Sequence, residues 1–193
     1  MFQPYTLKNK IMNTEVNVIV GRFQPFTDGH LKMIEEGYKE NGLPTVILQI
    51  SNKKFDEKHP FSNELIKEEI NLVRKSVKNT IIDHFYITNA DIAKIASICH
   101  EHGYEPVLWL CGSDRYEPYS KQANNEKYKL DNNLTNEFKC FEIKRNDDDI
   151  SASKVREAIK NDDFTTYIEM MPGICMWHAN IWDKFKEELK NLE

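Results

Sequence analysis

The chain is 193 residues long, 40% hydrophobic and 30% charged, a length that suits one domain over residues 1–193, burying about two-thirds of its unfolded surface. Its formal net charge of −5 gives no overall basic field to recruit nucleic acid or an anionic membrane, so any phosphate-bearing ligand must be held by a local cluster of positive groups. No stretch approaches the ~18 apolar residues of a membrane span, and Cys99, Cys111, Cys140 and Cys175 form no C-x-x-C pair; they read as reduced, mostly buried thiols of a cytoplasmic protein, not as a zinc site or disulfide framework.

The opening MFQPYTLKNKIM lacks the continuous apolar core of a signal peptide, and residues 1–14 read as an N-terminal arm. Residues 16–20 (VNVIV) form a short β-branched run that stops at Gly21; GRFQPFTDGH follows, then the helix-like LKMIEEGYKEN. Residues 45–50 (TVILQI) have strand composition, and 51–60, with Lys53, Lys54 and Lys58, read as a polar loop. A helix is expected over 63–75, where Leu65, Ile66, Ile70 and Val73 share a face, then a strand over 85–87 and a helix over 92–99 ending near Gly103. Residues 107–110 and 138–143 are the fourth and fifth apolar runs. Ile174, Trp177, Ile181, Phe185, Leu189 and Leu192 recur at three- and four-residue intervals and mark a closing amphipathic helix. Strands alternating with helices imply a doubly wound, mostly parallel α/β sheet of five or six strands, helices on both faces and a helical C-terminus. Such sheets bind ligands beyond the carboxyl ends of their strands, where the notable loops after Val20 and Leu110 lie.

Two motifs carry the chemistry. In the first, Gly21 and Gly29 allow the backbone to turn and approach a phosphate, Arg22 supplies a permanent forked charge, and Phe23 and Gln24 belong to the nucleotide-facing segment. Thr27 adds a hydroxyl donor, and His30 stands at a helix start whose amides and dipole favour an anion. In the second, Ile150-Ser151-Ala152-Ser153-Lys154-Val155-Arg156, two hydroxyls at a helix start and a Lys and Arg one turn inward can cradle a polyphosphate. Taken alone, the first also reads as an ordinary βα turn with a helix-starting His, and the second as a capped amphipathic helix with solvated Lys and Arg. Gly112, Asp114 and Arg115 close the fourth run, where Asp114 can accept a ribose hydroxyl and Arg115 meet a phosphate; an Asx-type turn is the bland alternative. Asn52, with Lys53 and Lys54, is a candidate for the acceptor side, with a solvated loop as its rival. His100 and His102 sit two apart and suggest no ligand pair, and Asp147–149 read as a solvated loop, so no metal ligands are assigned. Trp177 and Trp182 read as core or an oligomer surface, which leaves a homo-oligomer open.

GRFQPFTDGH resembles the signature of the nucleotidyltransferase superfamily with the HxGH or TxGH motif, and residues 150–156 resemble its ISSTxxR motif, with Ala152 for the second Ser and Ser153 for Thr. GRFQPF looks most like the adenylyltransferases acting on nicotinamide mononucleotide (NMN), although Thr27 takes the first His position, as in the pantetheine-phosphate branch. The resemblance implies a Rossmann-like fold and transfer of AMP from ATP, with Mg²⁺, to NMN, giving NAD and pyrophosphate. It implies Thr27 and His30 at the α- and β-phosphates, Arg22 near the transferring group, and Ser151, Ser153 and Arg156 at the β/γ end. Transfer of AMP or CMP to a pantetheine, sugar or alcohol phosphate, or a non-catalytic nucleotide sensor, are the alternatives. His59-Pro60-Phe61-Ser62 with Glu64 resembles the N-P-F-[ST]-x-x-E-R stretch of the NMN enzymes, without its Arg.

Overall fold

In the computed structural model, residues 13–77, 79–144, 150–173 and 178–191 are described. The elements run β1 (Thr14–Gly21), α1 (Asp28–Asn41), β2 (Thr45–Ile50), α2 (Asn63–Ser76), β3 (Ile81–Ile87), α3 (Ile92–Glu101), β4 (Tyr104–Gly112), α4 (Ser113–Ala123), α5 (Glu126–Asp131), β5 (Lys139–Ile143), α6 (Ala152–Lys160), α7 (Phe164–Met170) and α8 (His178–Lys190). Among the described residues the sheet has five strands, ordered β3-β2-β1-β4-β5, and every pairing is parallel. It is a Rossmann-like α/β fold.

Alternation along the strands builds two cores. Ile19, Ile47, Leu108 and Leu110 turn to the face covered by α1, α2 and α6–α8, while Val18, Val20, Val46, Leu48 and Trp109 turn to the face under α3. A sheet apolar on both faces reads as near-continuous hydrophobic runs, which is why TVILQI is legible as a strand. Opposite Pro106, which has no amide to donate, the β1–β4 register slips between Val16 and Asn17. Helix starts are capped by side chains at Ser62, Asp91 and Ser151, and α1 ends at Gly42 with φ 73°.

Several boundaries differ from expectation. The third and fourth strands start four and three residues earlier than expected, at Ile81 and Tyr104, because the added positions include Asp83, His84, Glu105 and Pro106, polar residues and a proline that interrupt the apolar run. The segment after Gly112 is helical, forming α4 and α5, even though α4 contains Pro118. The expected arm overlaps the sheet, since Thr14 opens β1; residues 1–12 lie outside the described residues, as do Ile174, Cys175, Trp177, Leu192 and Asp147–149. Trp182 is core, packed against Tyr167 with ring centroids 4.8 Å apart. None of the described helices is long and apolar enough to cross a membrane.

Candidate nucleotide site

The strand order reverses at β1, whose neighbours β2 and β4 lead away in opposite directions, and a crevice opens at the carboxyl ends of β1 and β4. There a cavity of about 530 Å³ is lined by Gly21, Arg22, Phe23 and His30 from the first motif and by Gly112, Asp114 and Arg115 from the end of β4. Gly21 and Gly112, 91 residues apart in sequence, thus share one wall because parallel pairing of β1 with β4 brings their carboxyl ends together.

The first motif is a tightly anchored loop. Gly21 lies under the Phe23 ring, where an added Cβ would stand 3.0 Å from it, and Phe23 itself is left-handed with φ 53°. Gln24, expected to face the nucleotide, is buried: its side chain donates to the Phe61 carbonyl (3.0 Å) and accepts from the Phe61 amide (2.9 Å). Thr27, expected as a phosphate donor, is also buried and caps α1. Its amide donates to His30 Nδ1 at 2.9 Å, and its hydroxyl lies 2.9 Å from the same nitrogen. Because an amide can only donate, Nδ1 is an acceptor, and the neutral ring carries its proton on Nε2. His30 therefore occupies the Glu/Gln position of a capping box while lining the cavity. At Gly29 a Cβ would meet the Ile150 carbonyl oxygen at 2.9 Å, so the missing side chain admits the second motif's backbone.

Arg22 is exposed at the cavity, with one guanidinium nitrogen 3.2 Å from His59 Nε2; His59 Nδ1 lies 3.0 Å from Asp56 Oδ1. Guanidinium is donor-only, so Nε2 accepts and Nδ1–H donates to Asp56, giving an Asp56–His59–Arg22 chain.

The second motif sits beside the cavity, not among its lining residues. Ser151 caps α6, accepting from the Lys154 amide at 3.3 Å, and Lys154 is exposed. Arg156, expected at the β/γ-phosphates, donates to the Gln24 carbonyl (2.6 Å) and to Ser153 Oγ (3.0 Å). Burial lowers its pKa, partly offset by the charge of Asp56. It ties α6 to the first motif, which its three-residue spacing from Ser153 allows but does not reveal. Asn52 is held by α2 and the loop before it, its amide donating to Asn63 Oδ1 at 2.8 Å and its side chain to the Phe61 carbonyl at 3.3 Å.

A sequence model described as cytidylyltransferase-like matches residues 18–158, which takes in both motifs and four of the five strands entire. The chain belongs to the cytidylyltransferase-like family. It is thus a nucleotidyltransferase by family. No curated protein matches it. Among solved structures it is similar to Plasmodium falciparum nicotinic acid mononucleotide adenylyltransferase complexed with APC, at TM-score 0.62 and 13% identity over 93% of this chain and 100% of that one. It is also similar to a bifunctional NMN adenylyltransferase/ADP ribose pyrophosphatase from Francisella tularensis (TM-score 0.56, 17% identity, 94% of this chain and 52% of that one). A third is Thermotoga maritima TmcAL bound with alpha-thio ATP (0.53, 11%, 92% and 56%). At these identities the likeness is one of fold.

The cavity also contains residues that composition did not single out. Met33, Thr88, Asn89 and Tyr119 line the cavity, and Cys111 does so with its Sγ 3.2 Å from that of Cys140 on the neighbouring strand. The widely spaced cysteines thus include one adjacent pair, which only the β4–β5 register could show. His59 also lines the cavity; its signal was the HPFS stretch itself. His100 and His102 bond separately, to Glu105 and to the Ile98 carbonyl.

Proposed function

We propose that this chain transfers AMP from ATP to nicotinamide mononucleotide, or to its nicotinate counterpart, releasing pyrophosphate and forming the dinucleotide. The observation that carries the reading is that His30, fixed through Nδ1 by Thr27, lines the cavity beside the Arg22 charge. A phosphate oxygen of the acceptor attacks the α-phosphorus in line; the new P–O bond forms as the bond to the bridging oxygen breaks, and its electron pair leaves on pyrophosphate. The acceptor phosphate is already ionised at neutral pH and needs no general base. Catalysis then rests on alignment and on donors aimed at the charge that develops.

In this reading His30 and Arg22 act on the phosphates, with Ser151, Ser153 and Lys154 at the rim for the outer phosphates. Asp114 and Arg115 hold ribose and acceptor. Thr27, Gln24 and Arg156 shape the loop that presents His30. Among the described residues Asp114 is the one acid that lines the cavity, and no three His, Cys, Asp or Glu side chains gather. That donor set fits a Mg²⁺ ion held mainly by phosphate oxygens and water, where it would neutralise triphosphate charge.

The nicotinate and nicotinamide acceptors are favoured by the GRFQPF sequence and by the folds of the two adenylyltransferase neighbours. The test is pyrophosphate release with each nucleoside triphosphate, crossed with NMN, nicotinate mononucleotide, and pantetheine, sugar and alcohol phosphates. Dinucleotide from ATP with either pyridine nucleotide is the expected result. Turnover confined to another acceptor would overturn the assignment.

A further inference from the structure

Helix α2 buries Leu65, Ile66, Ile70 and Val73 on one face, and in the middle of that apolar stripe stands Glu69, 0% exposed. A carboxyl there is costly unless a specific partner requires it, and Leu or Met would pack with its neighbours at no such cost. The partner is the Phe26 amide, which donates to Glu69 Oε2 at 2.9 Å; Oε1 has no hydrogen-bond partner. Phe26 lies between β1 and α1, outside any ladder and 0% exposed, so neither the sheet nor bulk water can satisfy its N–H.

The position of this contact gives it a consequence. Thr27, whose amide and hydroxyl fix His30 Nδ1, is the next residue, and the Phe26 ring lies 5.3 Å from the His30 ring. The loop's other anchors act earlier: the Gln24 side chain on the Phe61 backbone and the Arg156 guanidinium on the Gln24 carbonyl. Glu69 is the anchor nearest to the His30 pair.

We propose that Glu69 is a positioning residue of the nucleotide site, its carboxyl holding the Phe26 amide so that Thr27 presents His30 in a single tautomer and orientation. This rests on the nucleotidyl-transfer reading above. Complete burial pushes the Glu69 carboxyl well above the usual carboxylate range, with the Phe26 hydrogen bond opposing the shift, and in either protonation state the carboxyl keeps a carbonyl-type oxygen that accepts from the Phe26 amide. Glutamine keeps that carbonyl acceptor and shape, whereas leucine keeps only the packing.

The experiment compares wild type, Glu69→Gln and Glu69→Leu. NMR of the His30 ring nitrogens reads the tautomer without substrate, pyrophosphate release gives kcat and KM for ATP, and melting temperature is taken on the same samples. Glu69→Gln should match wild type in tautomer and kcat. Glu69→Leu should lose the single Nε2–H tautomer and about 100-fold in kcat, with KM for ATP within about threefold. A Glu69→Leu protein with wild-type tautomer and kcat, whatever its melting temperature, overturns the proposal. So does a Glu69→Gln protein as impaired as the leucine variant. Failure of the functional reading looks different: the wild type releases no pyrophosphate with any acceptor, while the tautomer comparison still decides the role of Glu69.

Discussion

A single imidazole shows how much of this site depends on donors that cannot accept. The Thr27 amide makes His30 Nδ1 an acceptor, which puts the neutral ring's proton on Nε2. Replacing His30 with Ala should cut turnover about 100- to 1,000-fold, the usual loss for one preorganised donor, with a smaller change in ATP affinity. Thr27→Val should cost far less, because the backbone amide still holds Nδ1; steady-state kinetics on the two variants rank them. At Glu69 the prediction concerns pH. Its folded-state carboxyl titrates well above the ordinary 4.5, so the folded protein binds the proton more tightly than the unfolded chain. Its contribution to stability is full below about 4.5 and is lost as pH rises towards the folded value. The group facing it across the core is Tyr167 on α7, a phenol pushed up first by burial and then by Glu69. Glu69→Gln should therefore flatten the fall in melting temperature with rising pH; an unchanged slope would show that Glu69 does not titrate in this way.

At the scale of elements, α1 is held unusually close to its neighbours, and two glycines permit it. A Cβ at Gly37 would lie 2.7 Å from both methyl carbons of Leu110 on β4, and one at Gly29 would lie 2.9 Å from the Ile150 carbonyl. The first clash is with a side chain that can shift, so Gly37→Ala should cost about 1–3 kcal/mol in chemical denaturation and leave the site intact. The second is with backbone, and it lies at the joint between the two motifs. Gly29→Ala should separate α1 from the start of α6 and raise KM for the triphosphate more than it lowers the melting temperature. Arg156 bridges the same joint from the other side, through Gln24. Arg156→Ala should lose about 1–2 kcal/mol of stability along with turnover, and Arg156→Lys should not restore either, since one ammonium cannot make both forked contacts.

Over the whole molecule, the C-terminal helix supports the loop that carries the first motif. Glu188 on α8 accepts from the Ser62 amide (2.6 Å) and hydroxyl (2.5 Å), and Phe185 packs its ring 4.3 Å from that of Phe61. The Phe61 backbone is the partner of Gln24, so α8 reaches the site through two contacts. Phe185→Ala removes a side chain with 0% exposure and should destabilise the protein by about 3–5 kcal/mol, measured by urea unfolding. A loss below about 1 kcal/mol would mean that α8 is not part of the same cooperative core.

The sequence by itself determined the alternation of strands and helices, because a sheet buried on both faces demands continuous apolar runs such as VNVIV and TVILQI. It also determined the two motifs and their order, and placed GRFQPFTDGH at a strand's carboxyl end. Tertiary structure alone decided what each motif residue touches. Gln24, Thr27, Gly29 and Arg156 look ligand-facing in a linear pattern, yet their partners are Phe61, His30, Ile150 and Gln24, three of them contributed wholly or partly by backbone atoms. Backbone partners leave no mark on residue identity, so no reading of side-chain types could name them. The same holds for Glu69, a charged residue at a core position, and for Cys111 and Cys140, 29 residues apart and brought together by parallel register. Local pattern specifies elements; the crossover connections that put β4 beside β1 specify the site.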